Sequence, residues 1–178
     1  MGIRELKKEL DSMQKNELME IIIDLYRKVP LAKEILDESY LFSNPEEVFR
    51  KYRKQIVDEF FPEKGFGKLR YANIRDALSK FKKISNDPKY LAELLFIHVK
   101  CGIDFTNEYG DIDERFYENI EKALERFLIH ISENNLLEKY KDRCFGFIDE
   151  TEGIGWGFHD EIGNLVYEFY DNIEEENE

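Results

Sequence analysis

The sequence predicts an all-α protein of about nine helices packed as antiparallel hairpins. Three observations carry this. Apolar residues recur three and four positions apart along nearly the whole chain. The 178 residues include only four prolines and ten glycines, which favours long regular elements over many short strands. No stretch alternates apolar and polar residues for long enough to make a convincing strand. Hydrophobic residues form 42% and aromatic residues 14% of the chain. That is enough apolar surface for a packed core and excludes a disordered chain. One domain over 1–178 is expected, ending in a frayed acidic tail at 172–178.

Ile3, Leu6 and Leu10 mark a short first helix. Leu18, Ile21, Ile22 and Leu25 mark a second, with Ser12 between them as a candidate cap. Pro30 suits the first turn of a third helix, with Ile35 and Leu36 facing inward. In SNPEEVFRKYRKQIVDEFFP, Asn44 caps, Pro45 opens the helix, and Glu46 and Glu47 meet the positive end of the dipole. Val48, Phe49, Tyr52, Ile56 and Phe60 form its apolar stripe. Pro62 and the KGFGK turn end it. The next helix runs from about Arg70 to Ile84, with Ile74, Leu78 and Phe81 inward.

Asp87 and Pro88 repeat the cap-and-proline opening, 43 residues after Pro45. That step fits a helical-repeat packing. After YGDID a long helix spans Glu114 to about Asn134, with Phe116, Ile120, Phe127 and Ile131 on its stripe and Asp113 as its cap. Leu136, Leu137, Tyr140, Phe147 and Ile148 define another helix; CFGFI and IGWGF could instead pair as a hairpin. The last helix begins after Gly157, with Phe158, Ile162, Leu165 or Val166, and Phe169 on one side. Glycines around the single tryptophan permit a sharp turn that presses Trp156 against a neighbour.

Composition limits the function. Cys101 and Cys144 stand far apart, which predicts two reduced, buried thiols in a cytoplasmic protein. Met1 leads straight into a charged helical pattern, so no signal peptide is expected. The longest apolar runs are too short to span a bilayer. The net charge is −13, concentrated in the C-terminal half, which disfavours nucleic acid as a partner. Residues 50–83 form a basic face with Tyr52 and Tyr71 interleaved, the one surface suited to an anion or nucleic acid.

No nucleophile elbow, P-loop, dinucleotide fingerprint or HExxH occurs, and neither cysteine has a visible base. Two stretches remain as candidate sites. GIGWGFHDEIG places His159, Asp160 and Glu161 beside Trp156 and Phe158, at the start of a helix. NEYGDIDERFYE offers Tyr109 and the carboxylates Glu108, Asp111 and Asp113, without the spacing of an EF-hand loop. His98 and His130 read as satisfied core or edge histidines.

The order LKKELDSMQKNELMEIIIDLY, FF, NEYGDIDERFY, GIGWGFHDEI resembles a family of small bacterial proteins classed only as a domain of unknown function. The resemblance implies a helical cytosolic protein and brings no catalytic residue, cofactor or partner. The leading expectation is a non-enzymatic protein-interaction module, with a protein partner or a second copy as a homodimer. Its contact residues would be Trp156, Phe158, His159, Asp160, Glu161, Tyr109, Asp111 and Asp113. No cofactor is expected on this reading. The alternative is a metal-dependent hydrolase, with a divalent cation on Asp111, Asp113, His159 and Asp160. It requires the two acidic stretches to meet in space.

Overall fold

The computed structural model describes residues 2–37, 44–85 and 87–176, with side chains as far as Asp171. Among them are nine α-helices and no strand: α1 (Ile3–Asp11), α2 (Lys15–Lys28), α3 (Pro30–Leu36), α4 (Pro45–Phe60), α5 (Tyr71–Ile84), α6 (Pro88–Tyr109), α7 (Glu114–Glu133), α8 (Leu137–Glu150) and α9 (Phe158–Glu176). The helix continues through most of the expected acidic tail; residues 177 and 178 lie outside the described ones. The chain forms two compact units, Met1–Pro45 and Glu46–Glu178.

The first unit holds α1–α3. Ser12 ends α1, its hydroxyl donating to the Glu9 carbonyl at 2.7 Å. It does not cap α2. There the Glu17 carboxylate reaches back to the Gln14 N–H at 2.7 Å, half of a capping box. Pro30 opens α3 as expected. The tyrosine hydroxyl of Tyr26 on α2 donates to Asp37 at 2.8 Å. The apolar stripe predicted to face a core does not: none of the three helices has a buried residue.

The second unit has the core. Val48, Tyr52, Ile56 and Phe60 of α4 are buried, as are Ile74, Leu78 and Phe81 of α5. α6 is the central helix. Its buried residues point all round rather than along one stripe, and it packs against α5, α7 and α8. A helix that is apolar on every side must be enclosed. Asp87 caps it, accepting from the Lys89 N–H at 2.9 Å.

α6 and α7 run in opposite directions. Thr106 and Tyr117 meet where α6 ends and α7 begins, at 2.9 Å. His130, near the end of α7, reaches the Pro88 carbonyl at the start of α6, also at 2.9 Å. Between these ends Gly102 lets the helices approach closely: a Cβ there would lie 2.3 Å from Ile120 Cδ1. α8 includes residues 144–148, so CFGFI forms no hairpin. α9 packs on α7 and α8 through Phe158, Ile162, Val166 and Tyr170. Tyr170, rather than Phe169, completes the stripe, and its hydroxyl donates to the Leu137 carbonyl at 2.9 Å.

The proline-opened pairs are not copies of one repeat. α4 and α5 have 16 and 14 residues, whereas α6 and α7 have 22 and 20. Among the described residues no helix is long and apolar enough to cross a membrane.

Candidate interaction site

One end of the second unit gathers the residues singled out from the sequence. α6 ends on Gly110, whose φ of 82° is open to glycine. The chain then turns through Asp111 and Ile112 to Asp113. The Asp113 carboxylate accepts from the Phe116 N–H at 2.8 Å and caps α7. Asp111 accepts from the Tyr117 hydroxyl at 3.1 Å. The Tyr117 ring packs 4.9 Å from that of Phe158 at the head of α9. On the far side, the Asn107 amide donates to the Glu150 carbonyl at 2.9 Å and ties the end of α6 to that of α8.

The turn from α8 to α9 completes this end. Thr151 is fully buried, and its hydroxyl donates to the Phe147 carbonyl at 2.9 Å. The same oxygen lies 3.2 Å from His159 Nδ1. Gly153 and Gly157 take positive φ, and so does Trp156, at 64°. A Cβ at Gly155 would sit 3.6 Å from an Asp111 oxygen. The Asp111 turn and the tryptophan turn therefore lie against each other.

The expected roles divide on inspection. Phe158 is fully buried and belongs to the core, out of reach of a partner. Trp156 is not enclosed in the core: 63% of it is exposed, in a turn where its φ is 64°. Asp113 is spent on a helix cap and Asp111 on a tyrosine. Asp160 and Glu161 are exposed in the first turn of α9. Although the two stretches meet, no three His, Cys, Asp or Glu among the described residues form a group that could hold a metal ion. Asp111, Asp113, His159 and Asp160 are thus not a ligand set. Glu161 instead faces Glu121 of α7. Burial, then the charges of Glu161 and Glu118, raise the Glu121 carboxyl above its ordinary value.

Other features of the site were missed in the sequence. Phe66, 58% exposed, packs edge-on to Tyr109 at 4.7 Å, and Tyr109 also lies on Phe105 at 4.8 Å. The glycines flanking Phe66 in KGFGK were the available signal. The basic face at 50–83 is partly neutralised: Arg50 pairs with Glu46, Lys54 with Asp58 and Glu63, Arg70 with Glu59, and Lys80 with Asp76. His130 is an edge histidine, as expected. His98 is buried but not satisfied: neither ring nitrogen has a hydrogen-bond partner among the described residues.

The largest departure lies in the first unit. Ile21, Ile22, Ile23 and Leu25 of α2, with Leu6 and Met19, are exposed. A groove of about 690 Å³ runs along α2 past Met13, Ile21 and Ile23, edged by Glu17, Glu20 and Asp24.

Fold and site together describe a small protein that is all-helical over its described residues and has exposed apolar side chains. The chain belongs to a family of unknown function, DUF6155, which matches residues 1–171. No curated protein and no solved structure matches it.

Proposed function

We propose that this chain is a non-enzymatic protein-interaction module that associates through the uncovered apolar face of α1–α3. One observation carries the reading: three amphipathic helices have no buried residue between them. Contiguous apolar surface of this kind marks a contact face in a folded protein. A segment of this size cannot supply a core of its own. A second copy of the chain is the partner we favour. Residues 2–29 carry equal numbers of basic and acidic side chains, so two such faces meet without the repulsion that the rest of the chain would impose. A two-fold pairing of α2 brings the same isoleucines together from both sides. A cytoplasmic setting, with both buried thiols reduced, belongs to this reading.

Sedimentation of the whole protein tests it. The wild-type chain is expected to dimerise, and the double substitution Ile22→Glu, Leu25→Glu to weaken the dimer about 100-fold or more. Neither side chain is buried, so helicity should survive. A wild-type monomer at every accessible concentration, or a dimer indifferent to the two charges, would overturn the proposal.

A second contact surface is supported by Trp156. The only tryptophan of the chain is held in a left-handed conformation, mostly exposed, in the turn whose Gly155 lies against Asp111. Exposed indoles of this kind are common energetic centres of protein contacts. Trp156→Ala should abolish binding of a partner at this end while leaving the dimer intact. Full retention of every partner by that variant would dismiss this surface.

A further inference from the structure

The second unit also carries a groove unrelated to either contact face. α5 and α7 form its walls and α6 its floor. Leu78, Leu91 and Leu95 supply an apolar base. Arg75, Lys82 and Arg126 stand at the rim, with Glu133 the one carboxylate among the lining residues. The volume is about 410 Å³, the size of a small-molecule site.

Two things set this groove apart. The first is charge. The chain has a net charge of −13, yet three of its cations line this one depression. Arg75, Lys82 and Arg126 are not in any ion pair among the described residues. Three unneutralised cations around one depression favour an anion, because screening confines their effect to about a Debye length of roughly 8–10 Å. The second is the floor. Leu91 and Leu95 continue along the same face of α6 to His98, whose ring nitrogens lack hydrogen-bond partners. Arg75 of α5 and Arg126 of α7 line the groove together with Leu91 and Leu95; burial, then the charges of Arg126 and Arg75, lower the His98 imidazole.

We propose that this groove binds a small amphiphilic anion, a carboxylate carried on an apolar tail. The leucine floor would take the tail. The guanidinium groups of Arg75 and Arg126, with Lys82, would take the head, since arginine pairs with carboxylate through two parallel hydrogen bonds. A purely polar anion would leave the leucines wet, and a neutral tail would leave the cations unused.

Decanoate, below its micelle concentration, is the probe, titrated into the full chain by calorimetry and by methyl NMR. Decanol has the same tail without the charge, and acetate the same head without the tail. Decanoate is expected to bind at least about tenfold more tightly than either, a difference of about 1.4 kcal/mol or more, and to shift the methyl signals of Leu78, Leu91 and Leu95. The double substitution Arg75→Gln, Arg126→Gln should weaken decanoate about tenfold or more and leave decanol unchanged. Both arginines are exposed, so the fold should persist. The leucine methyl shifts locate the ligand in the wild-type chain without reliance on the variant. Equal affinity for decanol, decanoate binding unaffected by the double substitution, or shifts confined to α1–α3 would each overturn the proposal.

Discussion

Glu59 and Arg70 grip one another through side chain and main chain together. The Glu59 carboxylate accepts from the Arg70 backbone N–H at 3.1 Å, from Nε at 3.0 Å and from Nη2 at 2.8 Å. Asn73 donates a fourth hydrogen bond at 2.9 Å. The Glu59 side chain is almost wholly buried, while that of Arg70 is half exposed. One carboxylate thus fastens the last turn of α4 to the start of α5.

Burial alone would push the Glu59 carboxyl upward. The hydrogen bonds from Arg70 and Asn73, with the Arg70 charge, outweigh it and hold the group below the ordinary carboxylate range. A lowered folded-state value means that the contribution is complete above the unfolded-state value. It is lost as pH falls through the folded-state one. Glu59→Gln should therefore lower stability at neutral pH by about 2 kcal/mol and flatten the acid limb of the stability profile. Urea unfolding at a series of pH values checks both; an unchanged acid limb would refute the assignment.

The close approach of Gly102 to Ile120 makes a prediction of sign. Gly102→Ala gains helix propensity of about 1 kcal/mol. It also drives a methyl into Ile120 Cδ1, an overpacking cost of about 1–3 kcal/mol. The substitution should destabilise the wild-type protein. In an Ile120→Ala background, where the obstructing atoms are gone, the same change should stabilise it. A double-mutant cycle by chemical denaturation measures the reversal; additivity would show that the helices do not touch there.

Trp156 should matter little for stability. Trp156→Ala is expected to shift the unfolding free energy by less than about 0.5 kcal/mol, the range for surface substitutions. In the wild-type chain its emission should lie at long wavelength and be readily quenched by acrylamide before any unfolding. A blue-shifted, protected emission would mean that the indole is covered.

His98 should weaken the fold in acid. Its burial, with the charges of Arg126 and Arg75, lowers the imidazole from 6.5 to about 3. The folded protein holds the ring neutral where the unfolded chain would protonate it. Stability is therefore full above 6.5 and falls below that pH, by at most about 1.4 kcal/mol per pH unit for one proton. His98→Leu should remove that slope between about pH 6.5 and 4 without loss of stability at neutral pH, since it also removes two unsatisfied nitrogens. Thermal unfolding across this range reads the difference.

The helices were legible because their punctuation is local. Pro30, Pro45 and Pro88 each open a helix, Asp87 and Asp113 each cap one, and apolar spacing gave the buried stripes of α4, α5 and α7. What spacing could not give was whether a stripe finds anything to pack against. Leu18, Ile21, Ile22 and Leu25 have the same period as Phe116, Ile120, Phe127 and Ile131, yet only the second set is enclosed. The difference depends on distant chain, and a local pattern carries no record of it. The same holds for the candidate site. Glycines forecast a sharp turn at Trp156, but the side of the turn taken by the indole is set by the φ of one residue. The carboxylates at 108–113 and 159–161 read from the sequence as a cluster in prospect. The hydrogen-bond partners of Asp111 and Asp113, the Tyr117 hydroxyl and the Phe116 N–H, lie within the first of these stretches. Sequence spacing alone did not show that those partners would claim them.

The bareness of α1–α3 has a consequence for the life of the molecule. Helices without an interior are only as durable as whatever lies over them, so their order should rise and fall with the abundance of that cover. Scarce copies would present loose, greasy ends to proteases and chaperones, while plentiful ones would be spared. With a second copy as that cover, as proposed, the persistence of the chain would follow its own concentration.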